Sequence, residues 1–381
     1  MKGTTHTLSA RPAVAEPRSA TATPLFLWGG GGMLAGEFLR LCEMHPALRL
    51  RAAVARSGAP LCESQPHLAS GPDGVQKTAS SEEALELLRE SLSAGERPAV
   101  VLALPHGESP RLWSHLREEL AADAQRVVVV DLAADYRLRD PKLYASAYGE
   151  PHADFAEAQR FAYGLPEYHR EAVARATRCA APGCFATAIQ LATLPAAYAG
   201  LLDSDAPWIL HGITGSSGSG NAPKPGTHHP FRHGNLWAYS LDGHRHEAEL
   251  AQALALRGQE ARLHLVAHSG PFARGIHLTA ALPLSRRVEV DVVRSIYAEA
   301  YAGEPFVELL DARSGAVPDI RRVAGSNRAC LAVSVRDSVL TVALTLDNLV
   351  KGGAGQGLQC LNLMLGVPET WGLSRSGLGV C

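Results

Sequence analysis

The sequence offers little that would place it in a membrane, on a nucleic acid or outside the cell. Its longest apolar runs, such as residues 127–132, are strand-sized, far short of the ~20 residues that a helical membrane span needs. Its formal net charge is −2 at neutral pH, so no broad basic field argues for a nucleic acid or an anionic lipid surface. Its seven cysteines are an odd set without paired spacing, which points to a reducing compartment, the cytoplasm, and away from a disulfide framework. The first residues lack the apolar core of a secretory signal. What is there is 381 residues, 46% hydrophobic and 19% charged, enough for two globular domains.

Residues 1–24 differ from the rest. They are rich in Ala, Thr, Ser and Pro, carry Lys2, Arg11 and Arg18, and hold one acid, Glu16. That composition reads as a disordered extension, with an organelle transit peptide as the competing reading. Order is expected from a short apolar strand over 25–28. It runs into Gly29-Gly30-Gly31-Gly32-Met33-Leu34, then a helix over 37–44 and a second strand over 48–55. Strand, glycine turn, helix, strand is the unit that seats a dinucleotide diphosphate on free backbone N–H groups. An acid usually closes the second strand where a ribose 2′-hydroxyl is bound. Here Arg56 and Ser57 stand there instead, which suits the 2′-phosphate of NADP.

The alternation continues. Ser80 or Ser81, with Glu83 nearby, offers a capping arrangement for a helix over 81–92. An apolar strand over 99–104 ends at Pro105 and His106, a helix over 109–124 follows, and then a strand over 126–132. This predicts an α/β fold: a doubly wound, Rossmann-type parallel sheet over 25–182. Beyond it, strand-like runs at 206–213, 262–268, 275–284, 328–336 and 339–346 carry few crossover helices. They predict a second α+β domain over 183–346 with a mainly antiparallel sheet. A last helix is expected over 353–365.

The chemistry gathers in three places. Cys184 follows Pro182-Gly183 at the start of a predicted helix over 185–198, where the helix dipole and free N–H groups favour a thiolate. A buried, inert cysteine is the competing reading. The Gly215–Gly220 loop, with Ser216 and Gly218, offers backbone N–H groups for a phosphate or carboxylate. The run Asp242 to Glu249 holds His244, Arg245, His246 and Glu249, a set able to act as acid/base and to fork an anion. Metal binding by these histidines competes with that reading, but neighbouring arginines repel a cation and no cysteine lies close.

The motifs now on the page resemble N-acetyl-γ-glutamyl-phosphate reductases of the aspartate-semialdehyde-dehydrogenase-like superfamily. They run in register from the glycine turn through Leu102–Gly107, Asp131–Leu138, Tyr163–Glu167, Pro182-Gly183-Cys184, Gly243–His246 and Asp347–Gly352 to Gly366–Thr370. The resemblance implies NADPH as cofactor, a small acyl phosphate as substrate, and a homodimer or homotetramer. It implies Cys184 as nucleophile through a thioester, His244 favoured over His246 as acid/base, Arg245 on substrate anions and Glu249 assisting the histidine. It also implies Asn348 near the cofactor and a C-terminal segment, 347–381, that returns to the first domain. Two departures stand beside the nucleophile: Ala181 and Phe185 replace the family's Asn and Tyr. Gly31 and Leu34 replace hydroxyl residues of the turn. The His228-His229-Pro230 stretch also resembles the lysine-pathway reductase, whose substrate is an aminoadipyl phosphate on a carrier protein. A catalytically inactive NADP-binding regulator is the reading from another class.

Overall fold

A computed structural model describes residues 22–56, 58, 60–68 and 78–379. Residues 1–21 of the expected extension lie outside this set, whereas Thr23 and Pro24 already belong to the first strand. The first sheet contains β1 (Thr23–Trp28), β2 (Leu48–Val54), β3 (Thr78–Ala79), β4 (Ala99–Leu102), β5 (Val128–Asp131), β6 (Ala162–Tyr163) and β7 (Arg178–Ala180). Its order is β3-β2-β1-β4-β5-β7-β6, and every pairing is parallel. The central strands β1, from Pro24 on, and β4 are apolar because both faces are covered. Leu25 and Leu27 face one core cluster, Phe26 and Trp28 the other. The winding reverses between β1 and β4, so a crevice opens at their carboxyl ends.

The second sheet contains β8 (Pro207–Thr214), β9 (Trp237–Tyr239), β10 (Arg262–Ser269), β11 (Ile276–Pro283), β12 (Val307–Leu309), β13 (Ala329–Arg336) and β14 (Val339–Leu346). Its order is β12-β13-β14-β11-β8-β10-β9. Two pairings are parallel, β8 with β10 and β12 with β13, and the others are antiparallel. One face buries Leu210, Leu265, Leu278 and Leu344 against the helices Cys184–Tyr198 and Val290–Ala300. The opposite face carries exposed residues such as Ile209, His211 and Thr341.

After β14 the chain returns to the first sheet. A wide helical turn, Val350–Ala354, leads into the helix Gly355–Leu365. Leu358, Leu361 and Met364 join the core that holds Leu25, Val128 and Val130. Gly357 permits the close approach, since a Cβ there would sit 2.4 Å from Leu132 Cδ2.

Candidate active site

β7 runs through Ala181, Pro182 and Gly183 straight into the helix Cys184–Tyr198, so the half-buried Cys184 is the first residue of that helix. Gly183 is the cap, extended at φ −66° and ψ 152°, with no side chain capping the helix end. Two buried side chains hold this turn. Arg137 Nε donates to the Ala181 carbonyl at 2.8 Å. The Glu249 carboxylate accepts from the Gly183 N–H at 3.2 and 3.3 Å. Arg137 also reaches Glu249 at 3.4 Å, Tyr163 donates to Glu249 at 2.8 Å, and Gln190 donates to the Tyr163 hydroxyl at 2.6 Å. From the other side Gly352 lies against Cys184: a Cβ there would come within 2.7 Å of its Cβ.

The His-Arg-His loop closes over the same turn. Gly243, at φ +124°, turns the chain so that His246 becomes the cap of the helix Glu247–Ala255. The buried His246 ring lies on Gly183, where a Cβ would be 2.3 Å from Nε2. Its Nδ1 is buried without a hydrogen-bond partner. His244 sits one layer out. Its Nδ1 accepts from the His246 backbone N–H at 3.2 Å, and its ring meets those of His246, Phe185 and Tyr239 at 4.7, 5.5 and 5.9 Å. Arg245 points to the exposed rim. Of the two histidines, His246 is the one whose ring abuts the turn that leads into Cys184.

The charge balance corrects one expectation. Burial pushes the Cys184 thiol up, and the Phe185 N–H, Arg137 and Arg245, which pull it down, do not offset that. The helix start alone therefore does not make a thiolate. Burial, aided by Arg245, holds His244 down to about 4. Burial, then His244, Arg137 and Arg245, holds His246 well below its ordinary range. Both imidazoles are neutral at neutral pH.

The glycine turn faces this site across the crevice. Gly29 needs its φ of +93°, and a Cβ there would strike the Ala103 carbonyl oxygen at 2.2 Å. Gly29 and Gly30 donate to Val54 O, and Gln65 Nε2 clamps the carbonyls of Gly30 and Gly32 at 2.9 Å. Gly31 has open space where a Cβ would be. The helix begins at Met33, four residues before its expected start, because the extended Gly32 is its cap; Met33 and Leu34 are therefore first-turn residues. That first turn has neither a side-chain cap nor an acid. A dinucleotide diphosphate fits these features. Arg56 is exposed at the end of β2 and bonds Glu108 at 2.6 Å, while Ser57 lies outside the described residues. Pro105 and His106 follow β4, and His106 Nδ1 lies 3.0 Å from the buried Asp135 carboxylate. Leu34 packs on Gly353, tying the turn to the returning C-terminal segment.

The Gly215–Gly220 loop is a second correction. The backbone N–H groups of Gly215, Ser216 and Ser217 donate to Gly275, Phe272 and Ala273. Those of Gly218 and Gly220 close turns on Gly215 and Ser217. They are thus unavailable as an anion nest. Asn348 spends its amide on this loop, donating to Ser217 Oγ at 2.9 Å and accepting from the Gly275 N–H at 2.7 Å. Asn221, just beyond the loop, donates to the Gly31 carbonyl at 2.7 Å and so joins the two sheets' loops. Arg137, Tyr163, Gln190, Asn221 and Gln65 escaped the residue-level reading. Arg137 and Tyr163 lay inside segments that matched the family, whereas Gln65 carries no sequence signal. Among the described residues no group of three or more His, Cys, Asp or Glu side chains is arranged to hold a metal ion.

Comparison with known proteins follows the same division. The sequence model for "Semialdehyde dehydrogenase, NAD binding domain" matches residues 26–176, and that for "Semialdehyde dehydrogenase, dimerisation domain" matches residues 184–348. The N-acetyl-gamma-glutamyl-phosphate reductase of Pseudomonas fluorescens is 36% identical over 92% of this chain and 97% of its own. A Thermomicrobium roseum protein named "Putative [LysW]-L-2-aminoadipate 6-phosphate reductase" is also 36% identical, over 92% of this chain and 97% of its own. Among solved structures, aspartate semialdehyde dehydrogenase II of Vibrio cholerae covers 91% of this chain and 99% of its own, with a TM-score of 0.63 at 15% identity. The Candida albicans enzyme with NADP covers 90% and 98%, with a TM-score of 0.60 at 14% identity. With the fold shared and both halves matched, the chain belongs to the N-acetyl-γ-glutamyl-phosphate reductase branch of the semialdehyde dehydrogenase family.

Proposed function

We propose that the protein reduces N-acetyl-L-glutamyl 5-phosphate to the 5-semialdehyde with NADPH, releasing phosphate, as a step of arginine synthesis. The observation that carries this reading is Cys184 at a helix start with the His246 ring on the preceding glycine and two arginines within electrostatic reach. An anionic acyl phosphate arriving beside Arg245 raises the proton affinity of His246. His246 then takes the Cys184 proton, and the sulfur attacks the acyl carbonyl carbon. The carbon–oxygen bond to phosphate breaks, the proton on His246 passes to the departing oxygen, and a thioester remains. NADPH, when bound, supplies the hydride that reduces this carbonyl. The resulting alkoxide expels the Cys184 thiolate, which frees the semialdehyde. Glu249 and Arg137 keep the Ala181–Cys184 turn in place throughout.

The residues that would hold the cofactor are the Gly29–Gly32 turn, the first turn at Met33 and Leu34, and Pro105 and His106 at the end of β4. Arg56 would take the 2′-phosphate after leaving Glu108. Asn348 would brace the Gly215–Gly220 loop through Ser217, next to Asn221, which meets the glycine turn. The six cysteines among the described residues are free thiols, in keeping with a cytoplasmic enzyme. The family's dimerisation domain over residues 184–348 supports a homodimer.

A second reading is the lysine-pathway reaction on an aminoadipyl phosphate. It is favoured by a relative of that name at equal identity, and by exposed Lys224, His228 and His229 on the loop before the His-Arg-His motif. Reverse turnover, with phosphate and NADP, on N-acetylglutamate semialdehyde beside its one-carbon-longer homologue separates the two. Cys184→Ser should abolish turnover on both, and undiminished rates would end the nucleophile assignment.

A further inference from the structure

The segment that returns after β14 touches both sides of the crevice within two residues. Gly352 lies against Cys184: a Cβ there would stand 2.7 Å from Cys184 Cβ and 3.2 Å from its Cα. Gly353 lies against Leu34, in the first turn of the helix Met33–Glu43: a Cβ there would stand 2.5 Å from Leu34 Cδ2. Successive Cα atoms are ~3.8 Å apart, so one backbone step separates the residue that carries the thiol from the helix that opens behind the glycine turn. Neither glycine has a positive φ, so neither is required by its backbone angles. Two successive glycines weaken a helical turn, and what they supply in return is thinness.

The turn is widened and firmly held. The Gly352 N–H donates to the Asp347 carbonyl at 2.8 Å and the Ala354 N–H to the Leu349 carbonyl at 2.7 Å, five residues back where an α-helix reaches four. Such widened turns are rare and gather at functional sites. Buried side chains grip this one from both halves of the chain. Asp347 Oδ1 accepts from the Leu349 and Val350 N–H groups at 2.8 and 3.2 Å. Its Oδ2 accepts from the Gly325 N–H at 2.6 Å and from Arg274 Nε at 3.0 Å. Lys351, fully buried, donates to Glu167 at 2.5 Å and to Gln359 at 2.9 Å. Glu167 stands on the helix Pro166–Arg175, beside the first sheet.

We propose that Gly352 and Gly353 form a spacer that sets the gap between Cys184 and the cofactor, Gly352 positioning the thiol and Gly353 positioning the nucleotide through Leu34. The proposal rests on the reading of Cys184 and the glycine turn as the two reacting sides. A side chain at 352 meets Cys184 and, at 3.3 Å, the Asp347 carbonyl oxygen, neither of which is the end of a flexible side chain. The thiol's own residue therefore has to shift. A side chain at 353 meets the tip of the half-buried Leu34 and pushes it out of its place in the first turn, leaving Cys184 where it is.

The two positions should answer to different probes. Gly352→Ala should slow iodoacetamide alkylation of Cys184 in the free protein, followed by mass spectrometry of its peptide, by about tenfold, and leave NADPH affinity within about twofold. Gly353→Ala should weaken NADPH in fluorescence titrations by about tenfold and leave alkylation within about twofold of the parent. That loss should vanish where Leu34 is already alanine, so Leu34→Ala and the double variant Leu34→Ala, Gly353→Ala should bind NADPH alike. Circular dichroism and thermal melting show whether each variant is folded, and if Gly352→Ala is not, the Leu34 pair decides alone. Two variants that move both readouts together, or a loss at Gly353→Ala that persists beside Leu34→Ala, overturn the spacer. Neither probe contains an acyl phosphate. A different substrate would leave these results readable, and failure of the spacer leaves the reaction assigned above standing.

Discussion

Replacing Gly183 with alanine adds one carbon to the turn that leads into Cys184. The backbone accepts it, because φ −66° and ψ 152° are ordinary for any residue. The side chain does not fit: its Cβ would lie 2.3 Å from His246 Nε2 and 2.6 Å from both Cδ2 and Cε1. Ordinary contact needs roughly 3.4 Å, so the ring must retreat by on the order of 1 Å. A misplacement of that size costs about 100-fold in rate, or about 2.7 kcal/mol of barrier. We expect Gly183→Ala to lower kcat of phosphate-dependent NADP reduction by that factor. The semialdehyde KM and the rate of Cys184 alkylation should stay near the parent's, because the thiol itself is not displaced. Circular dichroism and thermal melting check that the fold persists. A folded variant with kcat within about threefold of the parent would refute the placement of His246 in the proton path.

Two other outcomes follow from the site. Glu108 competes with a 2′-phosphate for Arg56, so Arg56→Ala should weaken NADPH far more than NADH, whereas Glu108→Ala should tighten NADPH. Equal changes for the two nucleotides in fluorescence titrations would remove Arg56 from that role. Burial raises the thiol's pKa, and deprotonation is what iodoacetamide reads. The free enzyme's alkylation rate should therefore keep climbing through pH 8.5, and a plateau below pH 7 would contradict the charge balance found here.

The Rossmann half was legible because β1, β4 and β5 lie in continuous apolar runs between helices of ordinary length. Its short members, β3, β6 and β7, carry two or three residues each and leave no periodic trace. The early start of the first helix was hidden by four glycines, which have no pattern to read. Cys184 and the His-Arg-His loop stood out as chemistry. Which histidine lies on the turn before Cys184 did not, because that is decided by the Gly243 turn and the room above Gly183. The thiol's charge state was misjudged for a similar reason. A helix start is visible in a sequence, but the desolvation that outweighs it comes from segments distant along the chain. The Gly215–Gly220 loop failed as an anion nest because its donors meet residues 272–275, a pairing that spacing cannot reveal.

The helix Gly355–Leu365 closes a face of a sheet whose strands are finished by Ala180. During synthesis about 185 residues separate the end of β7 from the end of that helix, which at 5–20 residues per second is roughly 9–37 s. For that interval Leu27, Val128 and Val130 lack their final cover on the ribosome-bound chain. Timing of translation thus becomes a hazard that the finished fold no longer displays. A circular permutant that begins with the last helix and joins the old termini would remove the delay, and would yield more soluble protein when chaperones are scarce.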